Sequence, residues 1–168
     1  MEFVFYFCKE LKNIYMLQRI QSIYLLLSAV FSGLIFMIPL AEYIDGASQV
    51  YELSFWKFQS LSAGAEISFL VYPIAFFAGL STLLNLVSIF LFKKRVLQMR
   101  ISVFTIIMLL ALISFAAFYI FKFKSDLNAD VAIGISSFFP LISIILTLLA
   151  FRGIARDENL VRSVDRIR

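Results

Sequence analysis

The chain has 168 residues, 62% of them hydrophobic and 15% charged, with a mean hydropathy of +0.94 and a formal net charge of +4. That composition does not describe a water-soluble surface, and it identifies an integral membrane protein. Histidine is absent and the single cysteine is Cys8, which excludes histidine-based acid/base or metal chemistry and any intramolecular disulfide.

Met1 to Gln18 mixes Glu2, Lys9, Glu10 and Lys12 with aromatics such as Phe3, Phe5, Tyr6 and Phe7. It is too short and too charged to span a bilayer. Either it lies on the membrane as an aromatic anchor, or residues 1–15 are an extension ahead of Met16. Cys8 follows Phe5-Tyr6-Phe7, which lacks the small residues of a lipid-modified cysteine, and reads as a bystander thiol.

From Ile20 to Ala41 no charge appears over about 22 residues, enough at about 1.5 Å per residue to cross a hydrocarbon core of about 30 Å. A cleaved signal peptide would need an apolar run of only about 7–15 residues, so a first transmembrane span is the better reading. Pro39 falls near its exit.

Glu42 to Glu66 is the longest hydrophilic segment and carries Glu42, Asp45, Glu52 and Glu66 against the lone Lys57. Within it, Val50 to Phe58 is rich in aromatic and β-branched residues, which predicts one or two strands over the mouth of the bundle. Trp56 has a simple explanation as an interfacial ring, and a sharper one as part of a binding lid.

Further spans are predicted over 67–92, 101–121 and 131–151, with Pro73 near the outer end of the second. Pro140 in the middle of the last predicts a kink that frees the Ser136 carbonyl. Lys93, Lys94, Arg95 and Arg100 punctuate a connection of about eight residues, short enough to make the second and third spans antiparallel neighbours. Residues 152–168 form a basic tail, in which Leu160, Val161, Val164 and Ile167 share a helical face and Glu158 and Arg162 have ion-pair spacing. A short amphipathic helix lying on or just below the membrane is expected.

Cations concentrate in the N-terminal flank, the 93–100 connection and the tail, whereas the other two gaps hold only Lys57, Lys122 and Lys124. The positive-inside rule then places both termini and the connection in the cytoplasm, with the acidic loop outside the inner membrane. Because the cations lie in gaps rather than over a folded face, anionic lipid is the expected partner and nucleic acid is not.

No Asp, Glu, Lys or Arg occurs in any of the four predicted spans. Proton pumps, voltage sensors and most ion-coupled transporters need such groups at membrane depth, and no catalytic pair is present, so neither an enzyme nor a cofactor is expected. Small and hydroxylic stripes occur instead: Ala78, Ser81, Asn85 and Ser88, with Ala75, Gly79 and Thr82 beside them, and Ser136, Pro140, Ser143, Thr147 and Ala150. Ala29 and Gly33, with Ser28 and Ser32, offer small-xxx-small pairs. Helix packing explains these stripes; a polar pathway for a neutral or lipidic molecule, lined by Ser81, Asn85, Ser88, Ser136, Ser143 and Thr147, is the alternative. Asn85 is the most specific of them, because its amide must face a partner.

Met16-Leu17-Gln18-Arg19-Ile20-Gln21-Ser22-Ile23-Tyr24-Leu25-Leu26-Leu27, Lys93 to Arg100 and Asp157 to Arg168 together resemble the bacterial four-transmembrane family, found mainly in Bacteroidota, catalogued as domain of unknown function 4293. The resemblance covers Met16 to Arg168 and implies a four-span protein, with no activity or site residue to carry over; Met1 to Tyr15 has no counterpart in it. The expected architecture is an all-α antiparallel bundle, 16–151, with short outer strands, a 1–15 extension and a 152–168 tail. Its expected role is a non-enzymatic scaffold or modulator of a protein partner or of a second copy of itself. An enzyme at the outer interface using Glu42, Asp45, Glu52 or Glu66 is a distant third.

Overall fold

The computed structural model describes residues 20–45, 49–61, 68–92 and 94–165, the side chains of 68–69 and 160–165 excepted. Expectations for Met1–Tyr15, Cys8, Arg19, Glu66, Lys93, the Leu160–Ile167 stripe and the Glu158–Arg162 pair lie outside the described residues.

Four helices dominate: α1 (Ile20–Leu34), α2 (Tyr72–Phe90), α3 (Arg95–Leu127) and α4 (Phe139–Asp165). The short outer strands expected beside the helices belong to a larger sheet than the sequence predicts, five strands, β1 (Ala41–Ile44), β2 (Val50–Leu53), β3 (Lys57–Ser60), β4 (Ser68–Leu70) and β5 (Asp130–Ile133), in one antiparallel sheet ordered β4-β3-β2-β1-β5. Absence of charge marks an apolar environment, not a helix, and this is why the predicted span boundaries differ from the observed elements. The run from Ile20 to Ala41 leaves helix after Leu34, closes with Phe36 N–H to Gly33 O at 3.1 Å and Met37 N–H to Leu34 O at 3.0 Å, and enters β1. Likewise 131–151 opens as strand, passes through a 3-10 turn at Ile135–Phe138, and becomes α-helix only at Phe139.

Pro140 is therefore the second residue of α4, where its missing N–H would have no intrahelical partner. The expected mid-span kink at this proline is replaced by a helix start. Pro73 plays the same part at the start of α2.

The connection expected over eight residues is mostly helix. Arg95 to Arg100 form the opening of α3, and Lys94 N–H, just before it, bonds to Leu91 O at 2.9 Å. At 33 residues α3 is about 50 Å long. It ends at Asn128, whose φ of 46° and ψ of 37° are left-handed, a conformation that asparagine tolerates. The tail through Asp165 is no separate helix either: α4 continues unbroken across Arg152.

Alternation docks the sheet. Ala41, Tyr43, Tyr51, Leu53 and Phe58 face inward while Glu42 and Ile44 face out. Phe58 stacks on Phe123 of α3 at 4.2 Å, with Tyr43 and Tyr51 each 5.6 Å from Phe58. The sheet thus caps the end where α3 finishes and α4 starts, hereafter the sheet end; Lys94, Arg95, Arg100, Arg152 and Arg156 mark the opposite, basic end. The main apolar core, from Ile35 and Leu40 through Leu109, Leu112, Ile120 and Phe139, lies toward the sheet end.

Candidate functional site: a buried polar seam

Every member of the α2 stripe, Ala78, Ser81, Asn85 and Ser88, is fully buried, and so are Ser143, Thr147 and Ala150 of α4 and Ser28 and Ser32 of α1. Large apolar side chains point the other way, among them Phe76, Leu83, Ile107, Leu110, Phe118, Ile145 and Leu148. α2, α3 and the stretch Ile135–Asn159 are each long and apolar enough to cross a membrane; α1, as described, is shorter.

Ser28 is the hub of the seam. Its Oγ accepts from Asn85 Nδ2 at 2.9 Å, lies 2.8 Å from Thr147 Oγ1 and 3.1 Å from Ser143 O, while Ser143 Oγ donates to Ser28 O at 3.1 Å. One hydroxyl thereby joins α1 to both α2 and α4. One turn further toward the sheet, Thr82 Oγ1 reaches Ser32 Oγ at 3.0 Å.

Ser136 does not share this centre. Its Oγ bonds Pro39 O, Ser137 Oγ bonds Leu40 O at 2.7 Å, and Gly134 N–H bonds the same Leu40 O at 2.8 Å. Only glycine fits at 134, because an added Cβ would stand 2.7 Å from Pro39 O and 2.9 Å from Leu40 O. At the basic end, buried Gln21 donates from Nε2 to Asp157 Oδ2 at 2.9 Å, and it can lie there because a Cβ on Gly153 would meet its Cγ at 2.9 Å. α1 is thus stitched antiparallel to α4 at two levels, and the segment after α1 is tied at a third to the turn that precedes α4.

Of the cations singled out in the sequence, Lys94 and Arg100 are exposed, and half-buried Arg95 donates from Nη1 to Asp157 O at 3.4 Å. The structure does not bring them together with the seam hydroxyls.

Sequence reasoning missed Gln21, Gln98, Ser102, Thr105 and Asp157, all buried. Gln98 Nε2 donates to Ser88 O at 3.1 Å, bringing α3 to the seam. A signal existed: Gln98, Ser102, Thr105, Leu109, Leu112 and Ala116 fall at helical spacing on one face. It was hidden by reading the cationic stretch as a loop. The pairing of Gln21 with Asp157 carried no local signal.

Hydroxyls and amides that bond one another across helices hold a bundle together without an ionised group in the seam's centre. The sheet end adds a titratable group: burial pushes the Tyr43 phenol up to about 12 from 10.0, with its OH donating to Ile120 O at 3.3 Å.

No curated protein matches the chain. The family model described as Domain of unknown function (DUF4293) matches residues 17–167, nearly the whole chain and every element above. The protein belongs to this DUF4293 family.

Proposed function

We propose that the chain is a non-enzymatic multi-pass protein of the cytoplasmic membrane that scaffolds or modulates a membrane partner through its basic end. One observation carries the membrane reading: polarity is inverted, with Ser, Thr, Asn and Gln buried and Phe, Leu and Ile exposed along the helices. On α3, Arg100 and Lys122 lie about 33 Å apart along the axis, which suits a hydrocarbon layer of about 30 Å. Both ends of the chain and the basic end face the cytoplasm in this reading, and the sheet faces outward.

Beyond Arg152, α4 runs on for about 20 Å, so it projects away from the bilayer instead of lying on it. Arg100, Arg152 and Arg156, exposed around this projection, suit anionic headgroups at the inner face, and the projecting helix suits a protein partner or a second copy of this chain. The test is crosslinking in intact membranes followed by mild-detergent purification. The proposal expects one reproducible partner or a dimer, lost when α4 is truncated after Arg156; lipid alone in repeated preparations rejects the scaffold role.

A second reading, a binding or transport site for a neutral or lipidic molecule, draws on two buried atoms without a bonding partner among the described residues, Asn85 Oδ1 and Ser88 Oγ. A continuous path is disfavoured by the direct bonding of Ser28, Ser143 and Thr147, which closes the seam on itself.

A further inference from the structure

Other buried hydroxyls of the helices are satisfied, either across helices, as Ser28 and Ser143 are, or on their own backbone: Ser81 donates to Ala78 O at 3.0 Å, Ser102 to Gln98 O at 2.9 Å and Thr147 to Ser143 O at 2.8 Å. Ser88 does not. Its Oγ is fully buried with no partner among the described residues, and so is Asn85 Oδ1, three residues earlier on the same face of α2.

These two atoms are placed to share one small ligand. Residues three apart on a helix have Cβ atoms about 5–6 Å apart, and a water bonding two groups at about 2.8 Å each bridges up to about 5.6 Å. A third group stands beside them, because Gln98 Nε2 spends one N–H on Ser88 O at 3.1 Å and carries a second. The Asn85–Ser28 bond marks the antiparallel register of α1 and α2, so fully buried Leu25, one turn before Ser28, lies at the level of Ser88. An acceptor, a hydroxyl able to donate or accept, and an amide donor within about one helical turn are the two to four polar partners that an internal water requires.

We propose that Asn85 Oδ1 and Ser88 Oγ hold a single internal water molecule between α2 and α3, which links Gln98 into the Asn85–Ser28–Thr147 chain and joins all four helices through polar groups. The site lies in the half of the bundle nearer the basic end, away from the aromatic packing under the sheet. It needs neither a protein partner nor a transport path.

Ser88→Ala tests it in the full chain reconstituted in lipid nanodiscs, since alanine suits the helix and adds no atoms. Loss of the bridge lowers the unfolding midpoint by about 2–4 °C, the shift a buried hydrogen bond produces in a chain of this length. If Ser88 were simply unpaired, removing its hydroxyl would leave the midpoint unchanged or raise it, and either result overturns the proposal. Radiolytic hydroxyl-radical footprinting supplies an arm independent of stability. Leu25 is labelled in the unaltered protein despite its burial, and the labelling falls severalfold in Ser88→Ala; no labelling of Leu25 in the unaltered protein also overturns it.

Discussion

Gln21 and Asp157, 136 residues apart in sequence, share a buried hydrogen bond of 2.9 Å laid across the bare backbone of Gly153. Gln21→Ala strips the donor from a carboxylate that is 4% exposed, a loss of about 1–3 kcal/mol. Gly153→Ala displaces the Gln21 side chain and costs a similar amount. The double variant should lose less than the sum of the two, because each change removes the same bond. Thermal unfolding of all four proteins in one detergent measures the coupling; strict additivity contradicts it.

Glycine substitutions should sort by what an added Cβ meets. At Gly134 it meets backbone oxygens at 2.7 and 2.9 Å, which cannot yield without parting β5 from the exit of α1. Gly134→Ala is expected to destabilise by about 1–3 kcal/mol. At Gly33 and Gly79 the nearest atoms are side-chain carbons at 3.9 and 3.8 Å, so alanine there should be neutral or add up to about 1 kcal/mol through helix propensity. Comparison of the three unfolding midpoints checks the order, and it tests directly whether Gly33 serves as a close-packing position.

The Ser28 hub predicts a graded loss. Ser28→Ala leaves the Asn85 amide without its acceptor and Thr147 Oγ1 without its neighbour, while Asn85→Leu breaks the bond from α2 to α1 and leaves the bonds between α1 and α4 in place. Each should cost about 0.6–2 kcal/mol. Cysteine crosslinking between α1 and α2 should fall in both variants, and crosslinking between α1 and α4 only in Ser28→Ala. Equal loss of both crosslinks in Asn85→Leu would refute the division.

Tyr43 makes stability depend on alkaline pH. Its folded-state value of about 12 lies above the unfolded value of 10.0, so the unfolded chain gives up the phenolic proton first. The contribution is complete below pH 10, is lost as pH rises toward 12, and its upper bound is about 2–3 kcal/mol. Tyr43→Phe should flatten that part of the profile and, at neutral pH, cost only about 1 kcal/mol for the bond to Ile120 O. Denaturant unfolding at stepped pH reads both.

Much of the bundle was legible because burial follows helical spacing. Ala78, Ser81, Asn85 and Ser88 were grouped by their repeat, and all four are buried. The short turn between α2 and α3 likewise fixed those helices as neighbours. The sheet was legible only at β2 and β3, where polar residues interrupt the apolar pattern; β1, β4 and β5 fall at the edges of charge-free runs and share their hydropathy. Cationic Arg95 and Arg100 looked like loop punctuation, yet arginine is a good helix former and both lie inside α3. Within the seam, residue types pointed to Asn85 as a bonded amide, whereas the identity of its partner, Ser28, depends on how α1 crosses α2, which no local pattern encodes.

The bonds from α1 and the segment after it to α4 and the turn before it have a consequence for biosynthesis. During synthesis Gln21 of α1 and the Pro39 and Leu40 carbonyls after it lack these partners until α4 and the turn before it emerge, and β1 lacks one neighbour until β5 is translated. A nascent chain that stops after α3 holds α1 by Asn85 and Thr82, together with the β1–β2 hairpin. Chains cut short before α4 are therefore expected to be digested faster by protease than chains that contain it.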